Sequence, residues 1–420
     1  MEVGGRLLVD SASFTVMPRD KVGIVGRNGA GKTSLFKVLG GANEPKAGKV
    51  LRKGGFGYLP QDPKIDSALD GRSCVTHVLS GRGIDDEITR IEKLRISMEE
   101  NPDERNVTRY TAAEEAFRTN GGYAAESEAR AMAAGLGIPD ERLDQPISTL
   151  SGGERRRVEL ARILFAGSDV LCLDEPTNHL DVDAKAWLLG FLRQYKGALL
   201  VISHDLELLD ESITRVLHLD RATETDVGEI FEYRGTYSQY QRARADDEAR
   251  LAKKAVLQAK EIDRLQTVVD RFGAKATKAA MAHSVEKRIA RLETQRVRGP
   301  QGAKTMTVRF PDPPKCGETV IRASGMCKAY GGPTIFEDID FDLGRGERLL
   351  VLGLNGAGKT SLLRILAGET DADLGDFEFG YQVHAGYYAQ EHDNLRTDQS
   401  LLTNIRDAVP DGMNLGETQL

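Results

Sequence analysis

VLCLDEPTNHLDVD, residues 170–183, joins a short apolar run to two adjacent acids and a polar loop. Val170, Leu171, Cys172 and Leu173 have the pattern of a strand buried in a parallel sheet. Asp174 and Glu175 follow at once and so fall at the strand's C-terminal end, the edge at which open α/β sheets bind ligands. Pro176 breaks the chain, Asn178 and His179 prolong the loop, and Leu180–Asp181 leads into a new helix. Two adjacent acids at that edge suit a magnesium nucleotide. One can hold the metal's water shell while the next positions an attacking water. Asp-Glu alone reads equally well as a solvated turn after a core strand, and the rest of the chain decides.

Upstream, Lys21–Val25 (KVGIV) is a short β-rich run, and Gly26–Thr33 (GRNGAGKT) fits GxxxxGK[ST]. Ser34–Leu39 then reads as helix, the strand–loop–helix context of a phosphate site. Gly26, Arg27, Asn28, Gly29, Ala30 and Gly31 form the loop whose N–H groups approach phosphates, and the helix start adds its dipole. Lys32 is expected at the β/γ-phosphates and Thr33 on magnesium, with Ser34 beside it in the nucleotide site. Gln61, in GYLPQD (Gly57–Asp62), can reach metal or attacking water from a strand end. Residues 65–147 turn helical and charged, with Ile84–Met98 and Thr108–Leu136 as the main helices. Leu150–Glu154 (LSGGE) opens an amphipathic helix over Arg155–Phe165. Ser151 is its N-cap, and Gly152 and Gly153 leave N–H groups open to a second anion. Ala198–Ser203 (ALLVIS) is another buried strand. His204 follows on the same edge as Glu175, where it can contact a γ-phosphate.

At 420 residues, with 40% hydrophobic and 29% charged residues, the chain has room for two or three ordinary globular domains. No apolar run is long enough to span a membrane and no signal peptide opens the chain. The scattered Cys74, Cys172, Cys316 and Cys327 form no CxxC pair, which points to a reducing cytosol and away from zinc.

In this order, the motifs resemble an ATP-binding cassette (ABC) nucleotide-binding domain. They match its Walker A loop (Gly26–Thr33), Q-loop (Gln61), signature (Leu150–Glu154), Walker B (Val170–Glu175), D-loop (Asp181) and switch histidine (His204). Glu175–Asp181, EPTNHLD, resembles the ABC-F branch, which carries two cassettes in one chain and no membrane domain. Chromosome-maintenance ATPases share this kind of signature but separate their Walker motifs by a very long coiled coil, and here both precede residue 205. The resemblance implies an α/β P-loop cassette over residues 1–235, hydrolysis of ATP with Mg2+, Glu175 as catalytic acid, and Gln61 and His204 as its companions.

From Thr236 to Thr305 there are 16 Lys/Arg against 8 Asp/Glu, a net of +8; with −7 for the whole chain, the rest carries −15. Leu251, Ile262, Leu265 and Val269 suggest one apolar stripe, and Met281, Val285, Ile289 and Leu292 a second, broken at Phe272–Gly273. This reads as a helical hairpin with a basic tip around Arg271, Lys275, Lys278, Lys287, Arg288 and Arg291. It is either a solvated interdomain pair or a phosphate-backbone contact. In ABC-F proteins the segment at this place enters the ribosome and touches transfer RNA, which favours the second reading.

Leu349–Leu362 (LLVLGLNGAGKTSL) repeats Val22–Leu35 at an offset of 327, and Gly386–Glu391 repeats Gly57–Asp62 at 329. Residues 306–420 thus read as the first part of a second cassette. Its loop is Gly353, Leu354, Asn355, Gly356, Ala357, Gly358, Lys359, Thr360 and Ser361; Thr360 and Gln390 would meet magnesium. Tyr330 lies where cassettes stack an aromatic on adenine, and the first copy has Val3 there, with its first strand missing. The second signature and Walker B would fall beyond Leu420, so the end reads as a fragment boundary. Cassettes pair head to tail, and neither composite site is complete within these residues. The chain as written is expected to bind ATP and hydrolyse it poorly, and dimerisation of the truncated chain stays open. The leading expectation is a cytosolic, ribosome-associated translation factor, including ribosome protection against antibiotics. The alternative is the ATP-binding subunit of an exporter with a separate membrane protein, which stable co-purification would reveal. A third reading is a nucleotide-dependent binding module without turnover.

Overall fold

The computed structural model describes residues 2, 3, 6–9, 12–61, 71–119, 121–221, 227–273, 279–294, 315–332, 334–389, 396 and 398–408. For 2, 3, 6, 7, 271–273, 279–282, 405, 407 and 408 only the backbone is described. The chain divides into two units, Met1–Thr307 and Val308–Leu420.

In the first unit, β1 (Glu2–Val3) and β2 (Arg6–Leu7) form a short antiparallel ladder. Then come β3 (Lys21–Gly26), α1 (Lys32–Leu39) and β4 (Phe56–Leu59). The helical region holds α2 (Cys74–Leu79), α3 (Ile84–Glu100), α4 (Glu104–Thr119), α5 (Gly122–Gly135) and α6 (Asp140–Leu143). The single helix expected over Thr108–Leu136 is two, because Gly121 takes φ 77 and starts α5 afresh. There follow α7 (Gly152–Phe165), β5 (Val170–Asp174), α8 (Val182–Gln194), β6 (Ala198–Ile202), α9 (Leu206–Ser212), β7 (Arg215–Asp220) and β8 (Glu229–Arg234).

Six strands form one sheet in the order β4-β5-β6-β3-β7-β8, parallel except for β8. Alternation along β5 explains why the sheet is buried on both sides. Cys172 faces a core with Leu35 and Phe36 of α1, while Leu171 and Leu173 face the larger core with Val158, Leu160, Leu188 and Leu208 of α7, α8 and α9. His77 of α2 fastens the helical region to α7: its Nε2 lies 2.8 Å from Glu159 Oε2, and Arg162 binds both Glu159 oxygens at 2.9 and 2.6 Å. Burial would raise the Glu159 pKa, but Arg162 and His77 hold it below the usual carboxylate value.

The long α10 (Tyr237–Gly273) pairs with α11 (Ala279–Thr294). Their seam holds Leu265, Val269 and Ile289, flanked by Ile262, Val285 and Leu292. Leu251 is 41% exposed and takes no part, since it precedes the stretch that α11 covers. The expected clustering of basic residues at the tip is corrected for Lys287, Arg288 and Arg291. Lys287 lies eight residues into α11, about 12 Å along the helix from its start. Arg288 reaches Glu261 of α10 at 3.2 Å. Lys275, Lys278 and the connector 299–314 lie outside the described residues, as do the side chains of Arg271 and Met281.

At its root, α10 carries Tyr240 and Arg244 against His218 of β7, with Arg244 Nη1 2.9 Å from His218 Nε2. Burial, and then the Arg244 cation, push the His218 pKa down to about 4. The folded protein therefore binds fewer protons than the unfolded chain between the ordinary value of 6.5 and about 4. Stability should fall as pH drops through that window, by about 3 kcal/mol in all. Denaturation midpoints across pH 7 to 4 would measure this, and His218→Gln should flatten the profile.

The second unit has β9 (Thr319–Ala329), β10 (Thr334–Gly344), α12 (Lys359–Leu366), β11 (Leu374–Phe379) and α13 (Leu401–Ala408). The strands form an antiparallel sheet in the order β10-β9-β11, and Ala323, Met326, Leu362 and Ile365 make its core. Residues 349–353 repeat β3 in sequence but form no strand, and Leu350 and Leu352 are 76% and 80% exposed. In the first unit β3 is held between β6 and β7, and no strands in those places are described in the second.

Candidate nucleotide site

Gly26 ends β3, and the loop to α1 turns through Gly29 at φ 77 and Gly31 at φ 102. A Cβ on Gly29 would meet open space, so conformation rather than crowding asks for glycine there. Gly31 is the N-cap of α1 and provides no side-chain cap, which leaves first-turn N–H groups open to an anion. Lys32 folds over this loop, its Nζ donating to the carbonyls of Gly26 (2.7 Å) and Arg27 (3.2 Å). Burial lowers the Lys32 pKa, against the pull of Glu175 and Asp174.

Those acids stand at the end of β5. Asp174 is 1% exposed, and neither of its carboxylate oxygens makes a hydrogen bond of full geometry among the described residues. Burial raises its pKa, opposed by the Thr33 hydroxyl and by Arg156, Lys32 and Lys37. Burial also raises that of Glu175, opposed chiefly by His204. Glu175 has φ 51, and its N–H donates to Ile202 O at 2.8 Å. The His204 N–H donates to Glu175 Oε2 at 3.2 Å, and His204 Nε2 lies 3.4 Å from Oε1. Gln61 is exposed beyond β4, where its carbonyl accepts from Arg156.

A magnesium nucleotide fits these residues. A buried carboxylate with the Thr33 hydroxyl beside it, next to an uncapped phosphate loop, is the donor set magnesium takes when it arrives with phosphates. Among the described residues, no group of three or more His, Cys, Asp or Glu side chains is placed to hold a metal ion.

Ser151 caps α7 as expected. Its Oγ accepts from the Glu154 N–H at 3.3 Å, and Glu154 Oε2 accepts from the Ser151 N–H at 2.9 Å. A Cβ on Gly153 would lie 3.5 Å from that of His179, so the signature packs beside the EPTNHLD loop. Asp181 caps α8 through the Ala184 N–H at 3.0 Å.

Within the second unit the phosphate loop is repeated in detail. Gly358 at φ 85 precedes α12 without a side-chain cap, and Lys359 Nζ donates to Gly353 O (2.9 Å) and Leu354 O (2.6 Å). Tyr330 is exposed, with Lys328 Nζ 5.1 Å from its ring centroid. Gln390 lies outside the described residues.

Two supporting residues escaped the sequence reading. Arg221 donates to Gly29 O at 3.1 Å, and Arg156 donates to four carbonyls around the acids. Both bind main chain remote in sequence, so no motif spacing betrays them.

Two family patterns, both described as ABC transporter, match this chain. One covers residues 9–178 and 336–410, more than half of the chain, and the other covers 223–310. "Probable ATP-binding protein YheS" of Haemophilus influenzae is 35% identical over 413 residues, 96% of this chain and 62% of that protein. "Energy-dependent translational throttle protein EttA" of the same organism is 31% identical over 403 residues, 93% of this chain and 68% of that protein. The chain thus spans 62% of the length of the first of these relatives. The solved RNase-L Inhibitor aligns with 25% identity at a TM-score of 0.39, over 58% of this chain and 41% of that one, a likeness too distant to bear on function. No helix among the described residues is long and apolar enough to cross a membrane.

Proposed function

Because the chain belongs to the ABC transporter family, in its ABC-F branch, we propose that its protein hydrolyses ATP with Mg2+ as a cytoplasmic, ribosome-associated factor. The observation that carries the ATPase reading is the buried Asp174 carboxylate with the Thr33 hydroxyl, beside Lys32 and the His204-bound Glu175. Magnesium, when bound, neutralises phosphate charge. Lys32 and the Gly26–Thr33 N–H groups bind the phosphates, and Thr33 and Asp174 hold the metal and its water shell. Glu175, its pKa raised by burial, accepts a proton from the attacking water, and His204 fixes the orientation of that carboxylate. Gln61 supports metal or water from the neighbouring strand end. Ser151–Gly153 cap a γ-phosphate held by a second cassette, with the Gly152 and Gly153 N–H groups as donors, because the Ser151 N–H is taken by Glu154. Gly353–Thr360 form a second nucleotide loop, with Tyr330 as its adenine platform.

The ribosome reading rests on the basic α10–α11 hairpin and on a relative named as a translational throttle protein. Exposed Lys287 and Arg291, with Arg271, Lys275 and Lys278, supply sequence-independent contacts to RNA phosphates, including transfer RNA. Protection against antibiotics is one use of such binding. Co-sedimentation tests this. The full-length protein should pellet with ribosomes in a non-hydrolysable ATP analogue and not without nucleotide. Replacing the five basic residues by Gln should abolish pelleting. Pelleting in neither state would favour an exporter subunit.

A further inference from the structure

We infer that Arg156 is a positioning residue for ATP hydrolysis: one guanidinium on the signature helix fixes the main chain at both the Gln61 loop and the Asp174–Glu175 pair. This rests on the ATPase reading above and adds a residue to it.

Arg156 lies one turn into α7 and is 5% exposed. Its Nη2 donates to the carbonyls of Asp174 and Glu175, both at 2.8 Å. Its Nη1 donates to the Gln61 carbonyl, with that of Pro60 at 3.4 Å. β4 and β5 are parallel neighbours in register at Leu59 and Leu173, so the two bound segments leave the sheet side by side. A planar guanidinium can bridge them; a lysine ammonium, a single point of charge, cannot span the same set.

Glu175 shows why such a clamp matters. Its φ of 51 is a left-handed backbone that a residue with a Cβ adopts only where its surroundings impose it. Here Ile202 O holds its N–H, Arg156 holds its C=O and His204 N–H holds its carboxylate. Loss of the Arg156 bonds would release the peptide that aims the carboxylate. The same helix begins at Ser151–Gly153, so the clamp joins the anion-binding signature to the acid.

A purely structural arginine would lower stability and leave kcat alone. The test compares Mg·ATP turnover of full-length wild type, Arg156→Lys, Arg156→Met and Arg157→Lys, each well below its unfolding temperature. Arg157 is the control: it is buried on the same helix but donates to Gly137 O at 2.7 Å, away from the acids. We expect Arg156→Lys to lower kcat about 30-fold with KM within threefold, Arg156→Met to lower it further, and Arg157→Lys to leave kcat within threefold. An active wild type beside an equally active Arg156→Lys overturns this inference alone, even if Arg156→Met fails to fold. An equal fall in Arg157→Lys traces the effect to general loosening of α7 and overturns it too. A wild type without turnover overturns the ATPase reading, and this inference with it.

Discussion

Replacing Glu175 by Gln is expected to cut steady-state phosphate release at least about 100-fold, the scale of a lost general base, while nucleotide affinity stays within about threefold. The substitution keeps size and the contact to the His204 N–H, because an amide oxygen can accept as the carboxylate does. It removes the proton acceptor. Burial raises the Glu175 pKa above the ordinary carboxylate value, against the pull of His204 and Lys32, so the group is a better base than an exposed acid. With hydrolysis blocked, the ATP-bound state should outlive that of wild type on ribosomes. Chasing ribosome-bound protein with excess competitor measures this. Unchanged dissociation, or turnover within a few-fold of wild type, would remove Glu175 from its role.

Lys32→Met should weaken binding of a fluorescent ATP analogue by about 30-fold, as expected for one charge-assisted contact to phosphate. The Lys32 amine already leans over the loop on the Gly26 and Arg27 carbonyls, so phosphate oxygens would meet it with little rearrangement. Burial has also lowered its pKa, and a doubly charged neighbour would reverse that. Met fills much the same volume, and the far-ultraviolet circular dichroism should not change. Titration gives the affinity directly, and a shift below threefold would deny Lys32 the phosphate contact. Lys359 has the same geometry in the second unit, so each loop can be tested by itself.

Much of the first cassette was legible because its signals are local. The apolar alternation of Val170–Leu173, the acids that follow and the Ser151–Glu154 capping box each fit within a few residues. The glycines of the phosphate loop are equally local, and their positive φ values fit that reading. What stayed hidden depends on tertiary partners. Arg156 and Arg221 sit in no local motif, yet Arg156 binds the carbonyls of Gln61 and Asp174 and Arg221 that of Gly29, all remote in sequence. Leu251 belongs to an apolar periodicity but lies beyond the stretch that α11 covers. Residues 349–353 copy β3 closely, yet a strand needs neighbours to complete its ladder, and the described residues of the second unit supply none there. Gly121 split one expected helix in two through a single left-handed residue.

Phosphate release from saturating Mg·ATP by the full-length wild-type protein tests the central claim most directly. Sustained release, many phosphates per protein, is the expected result. Saturable ATP binding with no phosphate beyond the protein's own concentration would contradict it and leave a nucleotide-dependent binding module.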